Sequence, residues 1–73
     1  MKGKDQIKAR FAGALKKVMK VKNISLHKLA DEAGLEYAHV QKIASGKVNV
    51  ELTTIIAIAE GLEISPGELF NYF

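Results

Sequence analysis

An all-α fold of five helices is predicted by three features of this 73-residue sequence. Apolar residues recur every three to four positions, no stretch alternates with the period of a strand, and helix stop or start signals stand at Gly34, Gly46 and the pair Ser65 and Pro66. At 48% hydrophobic content the chain is near the lower size at which one core supports itself without staples, so residues 1–73 are read as a single domain.

The first helix runs from Asp5 to about Lys22, where Ile7, Phe11, Leu15, Val18 and Met19 form one apolar stripe. Asn23 and Ser25 interrupt that pattern, and Ser25 can accept a hydrogen bond from the next turn as an N-cap. A second helix follows from about Leu26 to Ala33, burying Leu26 or Leu29 together with Ala30 and Ala33. Gly34 ends it, because the residue just past a helix commonly takes the left-handed conformation that glycine adopts without penalty.

The third helix spans about Glu36 to Ala44 and is stopped in the same way by Gly46. In "ELTTIIAIAEGL" the spacing puts Leu52, Ile55, Ile56, Ala59 and Leu62 on one face of a fourth, very apolar and central helix. "SPGE" starts the fifth: Ser65 caps, Pro66 takes the first helical position and Glu68 completes a capping box. Connections of two to six residues are expected.

Composition excludes several functions. Without cysteine there is neither a disulfide framework nor a thiolate metal site. Two histidines twelve residues apart on different helices make neither a metal site nor a catalytic pair, and "SPGE" lacks the lysine and spacing of a phosphate loop. No cofactor, catalytic residue or small-molecule ligand is expected. The longest apolar run is too short for a bilayer, and "MKGKDQIKARFAG" is charged where a signal peptide is apolar, so a cytoplasmic protein is expected.

The net charge of +3 is unevenly divided. Met1 to Lys28 carry nine basic residues (Lys2, Lys4, Lys8, Arg10, Lys16, Lys17, Lys20, Lys22 and Lys28) against Asp5, and the remainder carries Lys42 and Lys47 against seven acids. Such a division suits one face toward a polyanion and another toward a partner.

The second and third helices form a recognisable unit. A close steep crossing of two helices requires a small residue, a glycine in the turn and a branched apolar residue facing back, and Ala30, Gly34 and Val40 supply them. Around that unit, "ISLHKLADEAGLEYAHVQKIASGK" followed by "VNVELTTIIAIAEGLEISPGELF" resembles the lambda-repressor and Cro-like helix-turn-helix domains, the XRE family, over about Phe11 to Phe70. The resemblance implies a compact five-helix domain with the helix-turn-helix at about 25–44. It also implies that the third helix, Tyr37 to Ile43, enters the major groove of double-stranded DNA, usually within a dimer on a two-fold symmetric operator.

Helical geometry proposes the same contact residues. With Val40 and Ile43 turned inward, Tyr37, Ala38, Gln41 and Lys42 lie on or beside the opposite face. Gln41 can pair bidentately with adenine, Lys42 can donate to guanine, Ala38 can meet a thymine methyl, and Tyr37 can reach sugar or phosphate. By resemblance, backbone contacts fall at Ser25, His27, Lys47 and Asn49, with the neighbouring Lys28 added for its charge, and they set position and affinity without reading sequence. Lys16, Lys17, Lys20 and Lys22 fit a solvated face equally well. In the tail "LFNYF", Leu69 and Phe70 are expected on the core, with Tyr72 and Phe73 near the surface. The resemblance places a homodimer interface there, at Leu69, Phe70, Tyr72 and Phe73.

Four departures from the family pattern stand out. Leu26 replaces a glutamine that contacts phosphate and steadies the recognition helix, a contact expected to be lost or replaced by His27, and Glu36 replaces a capping Ser or Thr where a carboxylate repels phosphate. Met19 and Ala44 replace a buried Arg–Glu pair together, which leaves no unpaired charge. Val50 stands for a proline. A transcriptional regulator that occludes or recruits polymerase is the expected function, as in phage repressors, restriction-modification controllers or antitoxins. The competing expectation is a protein-interaction module on the same fold, with its DNA readout lost through Leu26 and Glu36.

Overall fold

The computed structural model describes residues 3–73, so Lys2 of the basic segment lies outside the described residues. Five helices follow one another: α1 (Lys4–Lys22), α2 (Leu26–Ala33), α3 (Tyr37–Ala44), α4 (Leu52–Gly61) and α5 (Pro66–Phe70). No strand occurs among the described residues, and the body measures 33 × 24 × 20 Å. Three to seven residues link successive helices, the longest link joining α3 to α4.

Local chemistry explains the boundaries. Asp5 near the start of α1 and Lys20 and Lys22 near its end complement the helix dipole. Asn23 then takes a left-handed conformation at φ 55°, while the Ile24 amide returns to the Met19 carbonyl at 2.9 Å. Ser25 caps α2 by accepting from the Lys28 amide at 3.1 Å. At the start of α5 both halves of the Ser65–Glu68 capping box form, each at 3.1 Å. Gly34 (φ 69°) ends α2 as expected. A methyl added there would touch nothing within 4 Å, so backbone conformation alone requires the glycine.

The core is built from Phe11, Leu15 and Val18 of α1, Leu29 and Ala30 of α2, Val40 and Ile43 of α3, Ile58 and Ala59 of α4, and Leu62 and Leu69. α2 packs against both α3 and α4, and α1 packs against α3 and α5. Met19 and Ala44 both join this apolar cluster, so the positions of the family's buried ion pair carry only apolar packing.

Three expectations from spacing need correction. Ile7 is exposed, so the inward stripe of α1 begins at Phe11. On α4 the buried residues are Thr54, Ile58, Ala59 and Gly61, while Leu52 is 73% exposed and Ile56 is exposed too. The cause is the crossing of α4 over α2 at Gly61, where an added methyl would sit 3.0 Å from the Ala33 amide nitrogen and 3.1 Å from its Cβ. That approach turns the stripe at 54, 58 and 61 inward and carries Leu52 and Ile56 outward. In the tail, Leu69 is fully buried but Phe70 is 44% exposed, whereas Phe73 packs against the core. The Phe73 amide bonds the Phe70 carbonyl at 3.0 Å and the turn brings its ring under Arg10, whose guanidinium lies 4.2 Å from the ring centroid. Arg10 also donates to the Phe73 carbonyl, at 3.0 Å from Nη2 and 3.3 Å from Nε.

The crossing yields a prediction of sign. Gly61→Ala is expected to lower stability by about 1 kcal/mol, because overpacking against backbone, about 1–3 kcal/mol, outweighs the helix-propensity gain of about 1 kcal/mol. Gly13→Ala, where the added methyl meets nothing within 4 Å, is expected to gain most of that propensity. Urea midpoints of the two variants should therefore move in opposite directions.

Candidate nucleic-acid interface

α2 and α3 cross with Ala30 and Val40 buried between them, at 2% and 0% exposure. The Leu35 amide returns to the Ala30 carbonyl at 2.9 Å, which fixes the path of the turn through Gly34. With Val40, Ile43 and Ala44 committed to the core, α3 turns Ala38, His39, Gln41 and Lys42 to solvent. Three of the four residues expected to meet bases therefore share one open helix face.

Tyr37 is the exception. It is half-buried at the first position of α3, packs against the core, and stacks on the imidazole of His27, with ring centroids 3.8 Å apart and planes 6° apart. One face of its ring is thereby occupied.

The residues expected at the DNA backbone fall into two groups. Ser25, His27 and Lys28 lie together at the exposed start of α2, where the Lys28 ammonium pairs with Glu32 at 3.1 Å. Half-exposed ion pairs of this kind contribute little to stability, so Lys28 is readily released to another anion. Lys47 and Asn49 are exposed in the connection between α3 and α4. Asn49 borders a shallow depression with Lys4, Ile7 and Lys8 of α1, so lysines near the start of α1 converge on it. Sequence reasoning missed Lys4 and Lys8 as site candidates because they are more than forty residues from Asn49 in the chain. Lys16, Lys17, Lys20 and Lys22 are exposed, and no ion pair involves them among the described residues.

The two departures nearest this face behave differently. Leu26 is partly buried against the core and presents no polar group. Glu36 precedes α3 but makes no side-chain capping bond, so its carboxylate is exposed and is not tethered over the helix amides. No helix of the described residues is long and apolar enough to cross a membrane, and no group of three or more His, Cys, Asp or Glu that could hold a metal occurs among them.

An alanine-centred crossing, a left-handed glycine turn and a second helix with an open polar face define a helix-turn-helix DNA-binding domain. The model of the Cro/C1-type helix-turn-helix DNA-binding domain matches residues 14–73, and the chain belongs to that family. Among solved structures it is similar to the restriction-modification controller protein C.AhdI from Aeromonas hydrophila, at 32% identity and a TM-score of 0.84, over 89% of this chain and 98% of the controller. It is also similar to an HTH_3 family transcriptional regulator from Vibrio cholerae, at 29% identity and a TM-score of 0.88. That match covers 94% of this chain but 39% of the regulator. No curated protein matches the chain significantly.

Proposed function

We propose that this protein is a sequence-specific transcriptional regulator that places α3 in the major groove, as a homodimer on a two-fold symmetric operator. The observation that carries the reading is the open face of α3, where Ala38, Gln41 and Lys42 stand on a helix whose other side is locked into the core by Val40 and Ile43. Gln41 can both donate to and accept from an adenine edge, Lys42 can donate to guanine O6 and N7, and Ala38 suits a thymine methyl. Ser25, His27, Lys28, Lys47 and Asn49 serve the phosphates on either side, with Tyr37 offering its hydroxyl. Similarity to a restriction-modification controller over nearly the whole of both chains supports a regulatory role.

The dimer reading rests on exposed apolar surface at α4 and α5. Leu52, Ile56, Phe70 and Tyr72 are exposed, and Ile55 shares a shallow groove of about 210 Å³ with Phe70 and Phe73. Exposed apolar side chains on two successive helices of so small a body suit burial against a second copy. Leu69 has no surface to contribute and would support the interface from beneath.

Selection of bound duplexes from a randomised DNA pool, run at two salt concentrations, tests the reading. A symmetric motif with half-sites roughly 10 bp apart is the expected result. No enrichment, with only weak salt-sensitive binding, would instead support a protein-interaction module on this fold. Lys47→Ala is expected to weaken binding to all duplexes alike and to reduce the salt slope by about one unit per subunit, about two for the dimer, as measured by titration across salt concentrations.

A further inference from the structure

The start of α3 lacks the side-chain cap that fixes the starts of α2 and α5, since Ser25 and Ser65 each bond an amide one turn ahead and Glu36 does not. An uncapped eight-residue helix frays most readily at its first turn. The first residue of α3 is instead tied to the first turn of α2 by the nearly parallel stack of Tyr37 on His27. His27 is exposed, so core packing does not require its ring.

We propose that His27 is a positioning residue for sequence readout: through its stack on Tyr37 it sets the direction in which α3 presents Ala38, Gln41 and Lys42 to base edges. The inference rests on the DNA-binding reading above and adds a residue that acts on discrimination through another side chain. Hydrogen bonds to base edges weaken steeply with misalignment, whereas phosphate attraction tolerates small shifts of the helix. Loss of the stack therefore lowers the ratio of specific to non-specific binding more than it lowers binding to arbitrary duplex.

The test compares that ratio for wild type and variants, using the selected motif and a scrambled duplex of equal length. His27→Ala is expected to reduce the ratio about threefold to tenfold, the range expected for loss of one aromatic pair. His27→Phe keeps a flat ring without an N–H and is expected to restore it. In a Tyr37→Leu background, His27→Ala is expected to change the ratio no further, because the contact it breaks is already gone. Proton NMR of the free protein reads the stack without DNA: His27 and His39 are the only histidines, and Tyr37→Leu should remove an upfield ring-current shift from His27 alone.

An unchanged ratio in His27→Ala, or failure of His27→Phe to restore it, overturns the inference while leaving DNA binding intact. Equal loss of affinity for motif and scrambled duplex in both variants also overturns it, and assigns His27 to phosphate contact alone. A wild-type ratio near one overturns the DNA-binding reading itself, and the two failures are thus distinguishable.

Discussion

Leu29→Ala is expected to remove about 2–5 kcal/mol of stability, the range for truncating a fully buried leucine. Leu29 is 0% exposed and belongs to α2, the helix packed against both α3 and α4. Ile58 and Val40 of the same cluster are also fully buried, and close packing of this kind limits how far the surroundings collapse into the cavity. A 73-residue domain has only roughly 4–11 kcal/mol in total at the usual stability per residue. The variant should therefore show a large fall in the urea midpoint at an unchanged denaturant slope. A shift of less than about 1 kcal/mol would contradict the central place assigned to α2.

The second large effect falls on discrimination rather than on stability. Gln41→Ala combined with Lys42→Ala is expected to cost, per half-site, roughly 2–6 kcal/mol of preference for the selected operator over a scrambled duplex, at about 1–3 kcal/mol for each base contact. Being adjacent, the two changes need not add fully. Both side chains are exposed, so the thermal midpoint should stay within the shift of about 0.5 kcal/mol usual for surface substitutions. Competition binding with operator and scrambled DNA measures the difference. Retained preference would remove this face of α3 from the readout, whereas Lys47→Ala should leave preference intact and lower affinity everywhere.

Much of the site was legible because its placement depends on local rules. Ser25, Gly34 and Val40 fix where α3 begins and which side faces inward, and every one of those signals lies within sixteen residues of chain. The exposure of Ala38, Gln41 and Lys42 follows once Val40 and Ile43 are buried. Contacts between distant segments were not legible in this way. Nothing in the spacing of the chain brings Asn49 beside Lys4 and Lys8, the His27 ring flat onto Tyr37, or Phe73 beneath Arg10.

α4 shows the same division within one element. Its existence and type followed from a strongly apolar segment at helical spacing, but of the face chosen by apolar count Ala59 and Leu62 are buried and Ile55 packs on the core, while Leu52 and Ile56 are exposed. Hydrophobic periodicity ranks residues by the water they exclude, and glycine carries no such signal. Closest approach of two helices is governed instead by which residue lets the backbones meet, and here that is Gly61 against Ala33.

The sequence by itself determined the five helices, their stops and caps, the helix-turn-helix unit and the polar face of α3, because each follows from hydrogen bonding and periodicity along a few turns of chain. Only the tertiary structure decided the rotation of α4, the outward exposure of Leu52, Ile56 and Phe70, the return of Phe73 to the core and the strut between His27 and Tyr37. These depend on how several helices fill one small volume at once, a competition between steric fit and apolar burial that no single segment of the chain contains.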